Sequence, residues 1–134
     1  MRKTVKKKWL EALRSGEYKQ GKRTLRRREP NGEWSFCCLG VLCDLAVKEG
    51  VIDEPILAGN RTEYGSWQTY PNDWGSTGSL PGKVVDWAFT KKEVQREGRV
   101  ELSDPRPDGI HLSHWNDQRG KNFNEIADLI EVHL

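Results

Sequence analysis

The amino-acid sequence predicts an α+β domain in which two or three main helices pack against a small, mostly antiparallel sheet. Amphipathic helical patterns occur near both ends of the chain, and a largely apolar helical pattern lies between them. Extended segments bounded by turn residues separate these helices. The length of 134 residues fits a single domain over residues 1–134.

Two of the helices are predicted in the first half of the chain. The first covers residues 4–14, where apolar residues recur at helical spacing until Ser15-Gly16 ends the pattern. The second covers residues 39–49, and Gly50 ends it. We expect another backbone to approach closely at Gly40, because glycine has no Cβ. The apolar stripe of the first helix consists of Val5, Trp9, Ala12 and Leu13.

The remaining helices are predicted in the second half of the chain. Pro81 opens a short helix, and a helical turn is expected over residues 111–117. Asn122, with Glu125 three residues later, has the pattern of a capping box and begins the last helix. We expect this helix to pack on the core rather than read DNA, since no second helix follows it before Leu134. Its apolar stripe is Phe123, Ile126, Ala127 and Ile130.

Strands are predicted on both sides of the turn at residues 30–32. Residues 22–28 and 33–38 form a β-hairpin, whose first strand is expected at a sheet edge because Leu25 is its only apolar residue. A second hairpin is expected over residues 93–103. Residues 59–79, rich in Gly and aromatic residues, are predicted as a long loop, and loops of this length are often functional.

The cysteines and histidines give no strong sign of catalysis or metal binding. Cys37, Cys38 and Cys43 are odd in number and have apolar neighbours, so we expect buried, reduced, structural thiols. His111 and His114 have an H-x-x-H spacing, which alone does not indicate a metal site. The sequence therefore predicts no metal, no cofactor and no catalytic residue, and the protein is not expected to be an enzyme.

Three segments carry a resemblance to a known family. They are residues 8–18 (KWLEALRSGEY), residues 36–45 (FCCLGVLCDL), and Asn116-Asp117 followed by residues 123–131 (FNEIADLIE). Together they resemble a family of small uncharacterised proteins of tailed bacteriophages. The resemblance implies a viral protein in the cytoplasm of the bacterial host. In that context we expect interference with host defence, including immune evasion by capture of a nucleotide signal.

Charge is segregated along the chain. Residues 1–30 hold 12 Lys and Arg against three Glu, a net charge of +9, whereas residues 31–134 carry a net charge of −7. This segregation favours an anionic partner at the basic end, or pairing with the acidic remainder of the same molecule or of a second copy in a homo-oligomer. The sequence shows no signal peptide and no apolar run long enough for a membrane span.

Arginines near aromatic residues predict a nucleotide site. Arg26 and Arg28 are two residues apart in an extended segment and could grip a phosphate from one face. Trp67 or Trp74 could stack on a base, although the aromatic residues could equally fill the thin core. The predicted ligand-binding residues are Arg23, Arg26, Arg28, Arg61, Tyr64, Trp67, Tyr70, Trp74, Trp115 and Asn116.

Three functions are compatible with these residues. The favoured function is non-catalytic capture of a small anionic nucleotide or cyclic nucleotide. The alternatives are binding of nucleic acid along an open groove, and docking of the basic end on an acidic host protein. Nucleic acid is the less favoured polyanion, because the net charge of the whole chain is only +2.

Overall fold

Helices and strands alternate along the chain in a pattern that confirms the predicted α+β class. The computed structural model describes residues 1–22, 24–54, 56–58, 61–63, 80–90, 112–117 and 119–134. Its helices are α1 (Lys3–Arg14), α2 (Cys38–Lys48), α3 (Gly82–Ala88), α4 (Leu112–Asp117) and α5 (Phe123–His133). Its strands are β1 (Lys19–Gln20), β2 (Arg26–Arg28), β3 (Trp34–Phe36), β4 (Ile56–Ala58) and β5 (Arg61–Glu63).

The described strands form one sheet in the order β1-β3-β2-β5-β4. Only the β1–β3 pairing among them is parallel, so the mostly antiparallel sheet is confirmed. The prediction that the first hairpin strand lies at an edge is wrong, because β5 pairs with β2 on the side opposite β3. Ladder hydrogen bonds join backbones, so a strand with few apolar side chains can still be central.

The predicted hairpin around residues 30–32 is confirmed, with shorter strands. The Glu29 and Gly32 amides donate to the carbonyl oxygens of Glu33 and Glu29 at 2.8 and 2.9 Å. Gly32 has a φ of 85°, which glycine adopts without the steric cost of a Cβ. This turn sets the register of β2 and β3, in which Arg28 lies opposite Trp34.

The hairpin of β4 and β5 was not predicted. Residues 61–63 form β5 rather than the start of the predicted loop, and the backbone of Ala58 pairs with that of Arg61. The rest of the predicted loop, residues 59–60 and 64–79, lies outside the described residues, as does the predicted hairpin at 93–103. No helix among the described residues is both long and apolar enough to cross a bilayer.

Helix α2 lies at the centre of the core. It contacts α1, α3, α4 and β3, and most of its residues from Cys38 to Ala46 are buried. The fully buried Trp9 of α1 donates its indole N–H to the carbonyl oxygen of Cys38 at 3.0 Å. This bond satisfies the polar atom of the Trp9 side chain, which would otherwise be costly to bury.

The start of α2 is pressed against the backbone of Leu25, as the sequence predicted for Gly40. A Cβ on Gly40 would lie 2.6 Å from the carbonyl carbon of Leu25 and overlap its oxygen. The Cys37 amide donates to that oxygen at 3.3 Å, and the Cys37 Sγ accepts from the Gly40 amide at 3.4 Å. The missing side chain of Gly40 therefore allows the helix to pack directly on the segment that leads into β2.

Helix α5 begins at the predicted capping box and packs against α1 and α4. The Asn122 Oδ1 accepts from the Glu125 amide at 2.9 Å, and the Glu125 Oε2 accepts from the Asn122 amide at 2.9 Å. Phe123, Ile126 and Ile130 are buried, together with Ala127, so the apolar stripe packs on the core as predicted.

Replacement of Gly40 by alanine tests the close approach to Leu25. Gly40→Ala should destabilise the fold by about 3 kcal/mol, the upper end for an overfilled core, because the added methyl meets a backbone carbonyl. Gly82→Ala is the matched control, since nothing lies within 4 Å of its Cβ position, and it should change stability by less than about 0.5 kcal/mol. Urea unfolding of both variants gives the comparison, and equal midpoints would contradict the packing described here.

The capping box makes the free energy of unfolding depend on pH. The hydrogen bond from the Asn122 amide lowers the pKa of the Glu125 carboxyl below its ordinary value of 4.5, so the charged form stabilises the fold. This stabilisation is fully present above the ordinary pKa and is lost as the pH falls through the lowered value. The difference in unfolding free energy between wild type and Glu125→Gln should therefore shrink between about pH 5 and pH 3, as measured by urea titration. A constant difference across this range would mean that the carboxylate is not held.

Candidate functional site

Two arginine side chains of β2 lie over one tryptophan ring of β3. The guanidinium carbon of Arg26 is 4.0 Å from the centroid of the Trp34 ring, and that of Arg28 is 5.8 Å from it. The hairpin register explains the grouping, because residues 26 and 28 face the same side of β2 as Trp34 does of β3. We call Arg26, Arg28 and Trp34 the Arg–Trp face.

The Arg–Trp face combines cations with an aromatic surface. Trp34 is half-buried and packs on the core with one part of its ring, whereas Arg28 is exposed. Arg28 forms no ion pair with a carboxylate in the described part of the chain. The N–H donors of a guanidinium lie in its own plane, and Arg28 could offer two of them to a phosphate.

Sequence reasoning found the two arginines of this face but missed Trp34. The signal was available in the predicted hairpin, because a turn centred on residues 30–32 places residue 34 opposite residue 28. The polar neighbours of the loop aromatic residues favour them as residues that stack on a base, but polar neighbours are a weaker indication of a shared face than strand register is.

Of the other predicted strand and loop residues, the structure describes only the backbone of Arg61. The backbone register places Arg61 opposite Arg27, the residue whose side chain leaves β2 on the other side from Arg26 and Arg28. Five predicted ligand-binding residues lie outside the described residues, namely Arg23, Tyr64, Trp67, Tyr70 and Trp74.

Asn116, which the sequence predicts as a ligand-binding residue, is hydrogen-bonded within the protein. Its side chain is fully buried, and its Oδ1 accepts from Gln20 Nε2 at 2.9 Å. Its Nδ2 donates to the Gly21 carbonyl oxygen at 2.9 Å and to the Asp117 carboxylate at 2.7 Å. The same Gln20 amide donates to the Lys121 carbonyl oxygen at 2.7 Å. These bonds tie α4 to β1, and a buried amide with all its groups bonded has none left for a ligand.

Trp115 precedes Asn116 in α4, and two cations lie near its ring. The Arg119 guanidinium carbon and the Lys121 Nζ lie 5.5 and 5.9 Å from its ring centroid. Its indole N–H is buried and has no hydrogen-bond partner within the described residues.

A second polar cluster joins the segment after α1 to α2. The Tyr18 hydroxyl donates to Asp44 Oδ2 at 2.6 Å, and Lys48 Nζ lies 2.9 Å from that hydroxyl and 3.1 Å from the carboxylate. Burial, followed by the bond to Asp44, raises the pKa of Tyr18, and the bond to Tyr18 raises the pKa of Lys48. These contacts connect the segment after α1 to α2.

The thiols are buried as predicted. Cys37, Cys38 and Cys43 are free and buried, and burial raises the pKa of Cys37 to about 12 and those of the other two well above the ordinary value. Among the described side chains, no three His, Cys, Asp or Glu residues converge as metal ligands. His111 and the His114 side chain lie outside the described residues.

Part of the segregated charge is neutralised within the molecule. Lys8 pairs with Glu49, and Lys19 lies 3.5 Å from Glu33. Arg14 contacts both Asp128 and Glu131 of α5, at 2.6 and 2.8 Å. These pairs agree with the intramolecular alternative for the basic segment. Within the described part of the chain, neither Arg28 nor Lys3 forms an ion pair with a carboxylate.

The whole chain, residues 1–134, matches a family model described as a domain of unknown function, DUF8296. The protein belongs to this family. No curated protein and no solved structure matches the chain. Because this family has no described function, a function for this chain has to be argued from its own residues, namely the Arg–Trp face and the charges of α1.

Thiol reactivity tests the structural role of the cysteines. Native protein treated with a disulfide reagent at about pH 8 should react more than a hundredfold more slowly than unfolded protein, because burial keeps nearly all of the thiols protonated. Release of one equivalent within seconds at neutral pH would show an exposed, reactive thiol instead.

Proposed function

We propose that this protein binds a phosphate-bearing nucleotide on the Arg–Trp face without chemically altering it. The single observation that supports the proposal is the placement of two guanidinium groups over the half-buried Trp34 ring. One guanidinium can grip a phosphate while the other, or the free part of the ring, stacks on the base.

The chemistry of the described surroundings favours binding over turnover. The neighbouring carboxylates are engaged, since Glu29 accepts a hydrogen bond from Ser35 at 2.6 Å and Glu33 contacts Lys19 and Asn31. The Ser35 hydroxyl beside Glu29 is buried and lies on the other side of β3 from Trp34, so it does not reach the Arg–Trp face. Cations and an aromatic ring can hold a nucleotide, but they supply no group that would take or give a proton.

A small ligand fits this face better than a long polyanion. The two arginines lie on adjacent residues of one strand face, so they span only about 7 Å along β2. That distance matches one or two phosphates. The acidic remainder of the chain, with its net charge of −7, would repel a longer nucleic acid.

The biological setting follows from the resemblance to tailed-phage proteins and is part of the same proposal. A viral protein in the cytoplasm of its bacterial host could lower a signalling nucleotide by stoichiometric binding, which needs no catalytic group. A homo-oligomer would add a second Arg–Trp face and could enclose a cyclic nucleotide between copies.

Calorimetry with mono-, di- and cyclic nucleotides tests binding. At least one should bind with a dissociation constant below about 100 μM, which corresponds to roughly −5.5 kcal/mol. Arg28→Ala should weaken that binding about tenfold and reduce its salt dependence, because a charged contact is lost. Trp34→Ala should weaken it by a similar factor with little change in salt dependence, since stacking is largely uncharged.

Arg27→Ala is the matched control for these variants. It removes the same charge from the same strand, but on the opposite face, so nucleotide affinity should stay within about twofold of wild type. If Arg27→Ala and Arg28→Ala lowered nucleotide affinity equally, the loss would come from the change in net charge and not from a contact on the Arg–Trp face. Tighter binding of long oligonucleotides, with a steep salt dependence, would favour the nucleic-acid function. Recovery of an altered nucleotide would show that the protein is an enzyme.

A further inference from the structure

A groove of about 480 Å³ runs between α1 and α5, on a different side of α1 from the core. One wall is a stripe of α1, whose members recur every three or four residues, and the other wall includes Glu131 of α5. We call it the α1–α5 groove. Its α1 members are Lys3, Lys6, Lys7, Leu10, Glu11 and Arg14.

The α1–α5 groove is basic at its ends and apolar near its middle. Lys6 donates to the Glu131 carbonyl oxygen at 2.9 Å, and Arg14 pairs with the Glu131 carboxylate at 2.8 Å. These contacts fix the wall of the groove. Lys3 and Lys7 are exposed one helical turn apart, with the half-buried Leu10 one turn further on.

The lysines at the start of α1 are positively charged, and positive charge is unfavourable at a helix N-terminus. The first turn holds no acidic residue, and the N-cap residue Arg2 makes no side-chain cap bond. The partial positive charge of a helix N-terminus repels cations, and Lys3 and Lys7 repel each other at i, i+4. Local conflicts of this kind are tolerated where the residues serve a function, and an anionic partner would relieve both repulsions.

We propose that the α1–α5 groove is a docking site for an acidic segment of a partner protein, with its carboxylates on Lys3 and Lys7 and an apolar side chain over Leu10. Charge complementarity identifies the partner, since the lining has four cations and two carboxylates. Glu131 is engaged by Arg14. The Lys7–Glu11 pair is long, at 4.0 Å, and exposed, so Lys7 can exchange Glu11 for a carboxylate of the partner.

A protein segment fits the lining better than a nucleic acid does. The Glu11 and Glu131 carboxylates would face a phosphate backbone that has a charge at every step. A peptide can instead place an apolar residue near them and keep its own carboxylates at the lysine end. Leu10 also offers an apolar contact for which a phosphate backbone has no counterpart.

Fluorescence anisotropy with a labelled acidic peptide tests this docking site. The peptide has about twelve residues, enough to span the ~16 Å from Lys3 to Arg14 as a helix, with Glu at i, i+4 spacing and one central Leu. Wild-type protein should bind it saturably, and binding should weaken as salt is raised from about 50 to 150 mM. Replacement of the central Leu by Ser in the peptide should weaken binding about threefold.

Charge reversal in the protein supplies the specific comparison. Lys3→Glu with Lys7→Glu should weaken peptide binding about tenfold, since two attractions become repulsions. Glutamate suits a helix N-terminus better than lysine, which offsets the loss of the exposed Lys7–Glu11 pair, and the thermal midpoint of the variant verifies that it is folded. Lys22→Glu with Lys83→Glu is the matched control, because it makes the same charge change at exposed lysines outside the groove.

Each other outcome overturns the proposal. If the two double variants lost peptide affinity equally, the peptide would be attracted only to the net charge of the protein. An oligothymidylate of equal charge that binds more tightly through Lys3 and Lys7 would make the groove a nucleic-acid surface. Absence of saturable peptide binding up to about 1 mM would leave no docking site. Because Arg28 and Trp34 are unchanged in these variants, nucleotide binding succeeds or fails independently.

Discussion

The close packing of α2 on the backbone of Leu25 is the constraint on which the rest of the structure depends. Gly40 permits it, because any Cβ there would overlap the Leu25 carbonyl group. The Cys37 amide bonds to the same carbonyl oxygen, and Trp9 of α1 bonds to the neighbouring Cys38 carbonyl oxygen. The first turn of α2 thus contacts both α1 and the segment that leads into β2. The hydrogen bonds at these contacts satisfy the buried carbonyl groups of Leu25 and Cys38.

This constraint also positions the Arg–Trp face. Leu25 is fixed under α2, so the next residue, Arg26, begins β2 at a defined place, and the turn at residues 30–32 sets β3 beside it. Strand alternation then directs Arg26 and Arg28 to the side of Trp34 and Arg27 to the other side. The face is built on a short hairpin tied to the core, which limits how far its three side chains can move apart.

The basic segment of the chain serves different purposes along its length. Arg14 and Lys8 neutralise acidic residues that follow in the sequence, and so they join α1 to α5 and to the end of α2. Exposed pairs of this kind contribute little stability individually. Lys3, Lys7 and Arg28 remain exposed on two separate surfaces, one on a helix and one on a sheet. The net charge of residues 1–30 is therefore divided between internal pairing and two surfaces that could meet anions.

The sequence by itself determined the three long helices, the hairpin at residues 30–32, the buried cysteines and the need for glycine at position 40. Periodicity, capping residues and turn residues are local signals, and they act over a few neighbouring positions. Tertiary structure alone decided that β2 is central, that Asn116 ties α4 to β1, and that Trp34 is the aromatic partner of Arg26. Each of these depends on which distant backbone supplies a hydrogen bond or which ring lies across a strand. A pattern along one segment cannot specify such contacts, because backbone hydrogen bonding is nearly independent of side-chain identity.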